Sequence, residues 1–547
     1  MARHFLRGDF SVYYWGEAYY GALDPLLLAP LFKIFGSTPA VCLWLPFIFS
    51  LLVLWLFYRY LVAVLDIRSA QVAALLLALP APAFFQITHS VYNYTFILFL
   101  GILHLSLFMR FLRGEKRKLF FLASGLVMGF SWYYFRLILV FWAAMALHWL
   151  VVRKGPEDWK KIRKKITGFR LSRIWTDLVL LRCRPLPKGL KAGLIVLNLY
   201  NLANFLVACF LWIRGNWFWT IGRLKVKLYL WPVLKSSLLL ALLVAAVAHY
   251  QKTFRLLKTL WASFPARLFA LGFLVGYAPA LSGSLTGVRP WSPGGLVSLP
   301  GIARNLALAV PKMTVWLAGP SRIPGLQWFS LAVVVSGFVF LAYLLWVQTR
   351  ARFVEGIAVK PFYSLLALGL AAGILGITGN KLGDENTLRF FVPLFFCLPL
   401  GLALGLKEMG RISKILAWGI LAVFLGNALA ANILVWQNHK SPSRLELLAQ
   451  NLANENIRGG YADYWTAYAL TFLTQEKTIL APTNGKERYS PYLRFTQSLN
   501  DVVLLGEPVP AGQNEVTIKE VHYEIVRREV WKGLPVAFLR KRASPPD

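Results

Sequence analysis

Residues 41–64 read VCLWLPFIFSLLVLWLFYRYLVAV, and this stretch decides the class of fold. Arg59 is its only charged residue, and nearly every other position is apolar or aromatic. A run of about 20 mostly apolar residues is long enough to cross a bilayer as an α-helix. We therefore predict a transmembrane helix here.

The same pattern recurs along the whole chain of 547 residues, of which 57% are hydrophobic and 15% are charged. Such a composition is typical of a membrane protein rather than of a soluble domain. Roughly twelve runs have the length and apolarity of a spanning helix. They lie at 41–64, 69–88, 93–112, 119–133, 135–152, 194–213, 231–250, 266–282, 328–347, 361–379, 388–405 and 412–436.

The formal net charge of +35 is concentrated in short loops between these runs. The clusters lie at 110–118, 153–192, 252–258, 350–352 and 407–414. Basic loops remain on the cytoplasmic side of a membrane, so this alternation predicts that both the N-terminal segment and the C-terminal tail lie outside. Because no continuous basic face is apparent, nucleic acid is not an expected partner.

We predict an all-α polytopic membrane bundle with about 12 spans and a small C-terminal extracytoplasmic α/β domain. Residues 1–40 form an extracytoplasmic loop of catalytic type, and residues 41–437 form the transmembrane domain. The basic cytoplasmic loop 153–192 is either an amphipathic helix on anionic lipid or a solvated loop that fixes topology. Residues 438–547 form the outer domain, where alternating segments predict strands and Ser443 with Glu446 has the spacing of a capping box.

The N-terminal loop combines carboxylates with closely spaced aromatic rings. Asp9, Glu17 and Asp24 accompany Tyr13, Tyr14, Trp15, Tyr19 and Tyr20. Rings stack on the C–H faces of sugars, and carboxylates bind hydroxyl groups or accept their protons, so this pattern favours a sugar site. The alternative is an aromatic belt at the membrane interface. The four cysteines have no metal-ligand spacing, and no metal site is predicted.

Three segments resemble the bacterial GT-C glycosyltransferases related to protein O-mannosyltransferases and lipid A aminoarabinose transferases. They are YYWGEAYYGALDPLLLAPLFKIFG (13–36), LRFFVPL (388–394) and RGGYADYWTAYALTFLTQEKTILAP (458–482) followed by RYSPY. Glu17 stands where the family usually has Gln, and Phe390 stands where it usually has Tyr. The resemblance implies a further helix before residue 1, thus 13 spans in the full protein. It also implies that the usual Asp/Glu base lies upstream of Met1.

The resemblance and the topology together give the candidate site residues. Asp24 and Glu17 are the candidate catalytic carboxylates. Arg389, Arg136 and Lys381 are the candidates for the donor phosphate, because cations stabilise a phosphate leaving group. For Arg136 the alternative is snorkelling to the headgroups. The candidates for sugar or acceptor binding are Tyr14, Trp15, Tyr19, Tyr20, His89, Asn93, Asp463 and Tyr464.

The expected function is transfer of a sugar from a polyprenyl-phosphate donor to a protein, lipid or polysaccharide acceptor outside a prokaryotic plasma membrane. The resemblance leaves open whether a divalent cation is required. No nucleotide-binding motif is present, so no nucleotide cofactor is expected. Two alternatives stay open. One is a non-catalytic subunit that binds or assembles sugar lipids, and the other is a polysaccharide or lipid transporter.

Overall fold

A computed structural model describes the chain in segments, which fold into two compact units. The first unit comprises Met1–Leu45, Ser282–Trp291 and Ile433–Asp547, and the second comprises Pro46–Leu281 and Ser292–Asn432. The described residues are 1–63, 65–80, 84, 88, 94–153, 188–214, 217–221, 224–228, 236–237, 239–241, 243–244, 259, 263–285, 300–305, 307, 365, 368–369, 372–373, 392–437, 442–484, 487–510 and 512–542.

The N-terminal segment contains regular structure where the sequence suggested an irregular loop. Helix α1 (Ala2–Leu6) is followed by a hairpin of β1 (Tyr13–Tyr14) and β2 (Glu17–Gly21), and then by helix α2 (Leu23–Phe35). The strands pair antiparallel, with Tyr14 opposite Glu17. The two helices pack against each other through small and aromatic side chains. Their shared core includes Ala2, Phe5, Ala22, Ala29 and Phe32.

Long apolar helices follow, as the hydropathy pattern predicts. They are α3 (Pro39–Val62), α4 (Ile67–Ala78), α5 (Tyr94–Leu112), α6 (Lys118–Tyr134), α7 (Leu139–Arg153), α8 (Lys188–Arg214), α9 (Phe264–Leu285), α10 (Cys397–Ile412) and α11 (Lys414–Gln437). A short hairpin of β3 (Trp217–Ile221) and β4 (Leu224–Leu228) follows α8.

Within the described residues, six segments are long and apolar enough to cross a membrane. They are Pro39–Val62, Tyr94–Leu112, Gly193–Leu211, Phe264–Leu281, Val392–Ile412 and Lys414–Gln437. The predicted count of about 12 spans is therefore not confirmed. The predicted runs 328–347 and 361–379 lie wholly or mostly outside the described residues, and α4 is shorter than the run at 69–88 suggested.

The apolar stretch around Arg136 forms two helices, as predicted. Helix α6 ends at Tyr134, Phe135 is extended (φ −159°, ψ 129°), and a 3-10 turn covers Arg136–Ile138 before α7 begins. The extended residue interrupts the i→i−4 hydrogen bonds, so α6 and α7 are separate elements.

In the second unit, α6 and α9 approach each other through paired glycines. A Cβ atom added at Gly125 would overlap the backbone oxygen of Phe269, and one added at Gly129 would overlap that of Phe273. A Cβ atom at Gly272 or Gly276 would likewise overlap the backbone of α6. Each helix thus contributes a Gly-x-x-x-Gly pair, the pattern that lets membrane helices pack at backbone contact distance.

The C-terminal part of the first unit is a six-stranded mixed sheet with helices. Its strand order is β6-β5-β7-β10-β9-β8; β5 pairs parallel with β6 and β7, and the other pairs are antiparallel. The elements are α12 (Arg444–Asn454), β5 (Gly459–Ala462), α13 (Tyr464–Leu473), β6 (Ile479–Pro482), α14 (Ser490–Ser498), β7 (Asp501–Leu505), β8 (Glu515–Ile518), β9 (Val521–Trp531) and β10 (Leu534–Lys541).

Both faces of this sheet are covered at its centre, which explains why strand β7 is apolar from Val502 to Leu505. Val503 and Leu505 of β7 pack with α12 and α13, whereas Val502 and Leu504 belong to a second cluster that Leu493 of α14 borders. The predicted capping box of α12 is confirmed, since the Ser443 hydroxyl accepts from the Glu446 backbone N–H and the Glu446 carboxylate accepts from the Ser443 backbone N–H. The fold expectation of helices with a small α/β domain is thus met.

Candidate functional site

The β1–β2 hairpin holds the aromatic segment in one place through its turn. Trp15 and Gly16 connect the strands, and Gly16 has φ +69°. A Cβ atom at Gly16 would lie 3.1 Å from Cα and Cγ of Arg488. Both the positive φ and this close approach require glycine. The turn therefore lies directly against the segment that begins α14.

Trp15 belongs to a cluster of four rings, which we call the aromatic cluster: His4, Trp15, Tyr489 and Tyr492. The Trp15 and Tyr489 rings stack at a centroid distance of 3.8 Å and an interplanar angle of 17°. His4 meets Trp15 edge-on at 4.8 Å. The sequence suggested Trp15 as a ring for stacking on sugar, and in the structure one face of Trp15 packs on Tyr489.

Charged and hydroxyl groups surround the aromatic cluster. His4 Nδ1 lies 3.1 Å from Asp9 Oδ2, which also accepts from the Tyr489 hydroxyl at 3.0 Å. On the other side, His4 Nε2 lies 3.2 Å from the Tyr492 hydroxyl oxygen and 3.4 Å from Glu476 Oε1. Through Asp9, Tyr489, Tyr492 and Glu476, His4 thus connects α1 to both ends of the C-terminal segment 476–492.

Glu476 is the acidic centre of this network. Burial alone raises the pKa of Glu476, but the positive charges of His4, Arg7 and Arg3 outweigh it, so the pKa lies below its usual value. Arg7 donates to this carboxylate at 2.8 Å. Burial and the charge of Glu476 raise the pKa of Tyr492, which keeps its hydroxyl protonated. Nothing in the local sequence around residue 476 indicates this role.

Glu17 forms an ion pair with Arg488 in which both side chains are mostly buried. The Arg488 guanidinium lies over the ring of Tyr464, with Cζ 5.2 Å from the centroid. The backbone N–H of Arg488 donates to the Tyr468 hydroxyl at 2.9 Å. Glu17 and Tyr464, which the sequence suggested separately, thus meet at one arginine.

Asp24 is enclosed at the start of α2. It is 2% exposed, lies in the first helical turn and accepts a hydrogen bond from the Tyr20 hydroxyl at 2.9 Å. The partial positive charge of a helix N-terminus favours a carboxylate at this position. Tyr14 meets Tyr20 edge-on at 4.9 Å, so both predicted tyrosines are part of this arrangement.

Asp463 caps a helix, and Arg136 packs on an aromatic ring. Asp463 is the N-cap of α13, where its carboxylate accepts from the backbone N–H groups of Trp465 and Thr466. Arg136, in the second unit, has its Cζ atom 4.4 Å from the centre of the Trp132 ring. The Nε atom of Arg136 is buried and has no hydrogen-bond partner among the described residues.

The remaining predicted residues lie wholly or partly outside the described part of the structure. Arg389, Lys381, His89 and Asn93 lie outside the described residues. Tyr19 belongs to β2, but its side chain lies outside the described part of the structure. Among the described residues, no group of three or more His, Cys, Asp and Glu side chains is arranged to hold a metal ion.

Residues 23–172 match the family model described as dolichyl-phosphate-mannose-protein mannosyltransferase. This match confirms the resemblance to GT-C glycosyltransferases that the sequence motifs suggested. No curated protein sequence matches the chain.

Two solved structures are similar to the chain over most of its length. The archaeal oligosaccharyltransferase AglB from Archaeoglobus fulgidus, in complex with an inhibitory peptide and a dolichol-phosphate, has 14% identity and a TM-score of 0.41. That alignment covers 92% of this chain and 64% of AglB, so the chain spans less than two thirds of that protein. ArnT from Cupriavidus metallidurans, bound to undecaprenyl phosphate, has 13% identity and a TM-score of 0.32. That alignment covers 98% of this chain and 91% of ArnT.

Proposed function

We propose that this chain of GT-C type is an integral membrane glycosyltransferase that takes its sugar from a polyprenyl-phosphate donor. The observation that carries the proposal is the family match over residues 23–172, which begins at the turn of α2 that contains Asp24. The acceptor is proposed to lie on the outer side of a prokaryotic plasma membrane, with the C-terminal domain on that side.

In the proposed reaction, the acceptor hydroxyl attacks the anomeric carbon while the bond from that carbon to the phosphate oxygen breaks. The bonding electrons leave with the polyprenyl phosphate, and the hydroxyl proton passes to a carboxylate. Asp24 is the candidate for this general base, because it is the carboxylate within the matched segment of the first loop. The hydrogen bond from Tyr20 holds one carboxylate oxygen in place.

Arg136 is the candidate for stabilising the phosphate among the described cations. Its Nε–H is a buried donor without a hydrogen-bond partner among the described residues. Its guanidinium lies over the Trp132 ring. A guanidinium binds phosphate oxygens through two parallel hydrogen bonds, which suits a leaving group whose negative charge grows during the reaction. Ionisable groups within membrane segments are often functional.

The acceptor is proposed to be selected where the first loop meets the outer domain. The Glu17–Arg488 pair and the aromatic cluster hold the hairpin against α14, and both are contacts within one compact unit. An acceptor that approaches Asp24 would contact these groups, so their replacement is expected to change KM for the acceptor more than kcat.

The experiment is a turnover assay with the full chain in nanodiscs and a panel of polyprenyl-phosphate sugars, in which released polyprenyl phosphate is measured by mass spectrometry. With a general base at Asp24, Asp24→Asn lowers kcat by about 100-fold or more, whereas Tyr20→Phe lowers it by less. Asp501→Asn is the matched control, because the Asp501 carboxylate is exposed and pairs with the exposed Arg540. Chelating Mg²⁺ in the same assay determines whether a divalent cation is required.

Absence of any release with every donor would overturn the transferase proposal and favour a binding subunit or a transporter. Turnover that survives Asp24→Asn would instead remove Asp24 from the role of base while leaving the transferase proposal intact.

A further inference from the structure

A large cavity lies between helices α5, α6, α7 and α9 of the second unit. Its volume is about 650 Å³, within the range of roughly 300–1,000 Å³ that small-molecule sites occupy. The lining is mainly aromatic and aliphatic and includes Phe108, Phe111, Phe121, Met128, Met145 and Phe269. Such a lining suits hydrocarbon.

Two basic side chains lie next to one end of this cavity, which we call the basic end. Its lining reaches the last turn of α5 at Phe111 and the start of α9 at Pro265. At this end, Lys118 Nζ lies 5.0 Å and Arg267 Cζ lies 5.6 Å from the centre of the Phe264 ring. Two positive charges beside an apolar cavity in a membrane domain complement a lipid with an acidic headgroup.

The wall of the cavity also carries two polar atoms without partners. His104 is 4% exposed, and its Nδ1 lies 2.7 Å from the backbone oxygen of Leu100. Because a carbonyl oxygen only accepts, Nδ1 must carry a proton, and in the neutral imidazole Nε2 is then an acceptor. Neither His104 Nε2 nor Ser124 Oγ has a hydrogen-bond partner among the described residues, and both residues line the cavity.

The hydroxyl or amide group of a bound ligand would donate a hydrogen bond to the unpartnered Nε2 of His104. The oxygen of the same ligand would accept from the Ser124 hydroxyl. The rise of an α-helix puts His104 about 12 Å from the end of α5 and Ser124 about 9 Å from Lys118. The polar pair therefore lies deeper than the basic end, at the level where a lipid headgroup joins its chains.

We propose that this cavity binds one anionic membrane lipid that carries a hydroxyl or amide donor next to its headgroup. The acidic group lies at Lys118 and Arg267, the donor bonds His104 Nε2, and the hydrocarbon chains fill the apolar part. This site lies at the opposite end of α6 and α7 from Arg136, so it is separate from the proposed donor phosphate site.

The test compares two lipids that differ in the donor. The full chain is reconstituted in phosphatidylcholine nanodiscs containing either ceramide 1-phosphate, which has an amide and a hydroxyl, or phosphatidic acid, which has esters only. Lipid retained after transfer to detergent is counted by mass spectrometry. We expect one acidic lipid per chain and at least a tenfold preference for ceramide 1-phosphate.

Matched variants separate the parts of the site. His104→Leu is expected to abolish the preference while both acidic lipids still bind, and Lys118→Gln with Arg267→Gln is expected to weaken both by about tenfold or more. Lys414→Gln, a basic residue that does not line the cavity, is the control. Ser124→Ala removes only an unpartnered hydroxyl and is expected to reduce the preference even if the His104 variant does not fold. Equal retention of the two acidic lipids, or a preference unaffected by both variants, overturns the proposal.

Discussion

At the scale of single residues, Glu17 shows how one carboxylate can fix a whole segment. Its ion pair with Arg488 is mostly buried, and removal of one partner from such a pair leaves an uncompensated charge. We expect Glu17→Gln to lower the stability of the first unit by about 3 kcal/mol. Thermal unfolding of the full chain in detergent, followed by tryptophan fluorescence, measures the change.

The double variant Glu17→Gln/Arg488→Gln provides the control for this pair. If the loss arises from an unpaired charge, the double variant is more stable than the sum of the two single changes predicts. The exposed Asp501–Arg540 pair should contribute at most about 1 kcal/mol. An additive double variant would mean that Glu17 and Arg488 stabilise the unit independently.

Glu476 makes the same unit sensitive to acid. Because its pKa lies below the usual value in the folded chain, the unfolded chain binds a proton first as the pH falls. The contribution of Glu476 to stability is therefore complete above the ordinary carboxyl pKa and is lost as the pH falls through the lowered pKa. Melting temperatures recorded between pH 7 and pH 3 should fall less steeply for Glu476→Gln than for the parent chain. Identical slopes would show that other carboxylates cause the acid sensitivity.

At the scale of elements, the sequence predicts those helices and strands that depend on nearby residues, through the length and periodicity of their apolar runs. The apolar helices α3, α5 and α11 follow from runs of sufficient length, and the capped helix α12 follows from Ser443 and Glu446. The strands β5 to β10 follow from short alternating or fully apolar segments bounded by turn residues. The separate helices α6 and α7 follow from the two runs at 119–133 and 135–152, which meet near the charged Arg136.

The sequence did not predict the elements and contacts that depend on distant partners. The β1–β2 hairpin was not predicted, because its strands are only two and five residues long and its turn packs against Arg488, far along the chain. Helix α14 was not predicted because it is only nine residues long and its N-cap residue, Tyr489, makes no side-chain cap. Glu476 was not a candidate, because its partners His4 and Arg7 are far away in sequence.

The glycine pairs of α6 and α9 lead to a prediction about helix packing. Replacement of Gly129 by Leu would force the two backbones apart, because even a Cβ atom there overlaps the Phe273 backbone. We expect Gly129→Leu to reduce the yield of monodisperse protein severalfold in size-exclusion chromatography and to lower its melting temperature. Gly419→Leu on α11 is the matched control, because no heavy atom lies within 4 Å of a Cβ atom placed there. Equal losses for the two variants would contradict close packing of α6 on α9.

At the scale of the whole molecule, the first loop and the C-terminal domain lie in one compact unit, so both must be on the same side of a membrane. The charge pattern predicts that this side is the outside. The prediction is tested with single cysteines in a chain whose Cys42, Cys183, Cys209 and Cys397 have been replaced. A membrane-impermeant maleimide on intact cells should label Asn500→Cys, which is exposed in the C-terminal domain.

The partner variant for this topology test is Lys116→Cys, in the loop between α5 and α6. Its basic neighbours predict a cytoplasmic position, so it should be labelled only after the membrane is permeabilised. The two sites are expected to label differently because moving several Lys and Arg side chains across the bilayer is strongly unfavourable. The C-terminal domain instead carries acidic and basic residues in ion pairs. The reverse labelling pattern would invert the bundle and put the proposed transfer on the cytoplasmic side. In that case the acceptor would have to be a cytoplasmic molecule, and the lipid cavity at the basic end would face the outer leaflet.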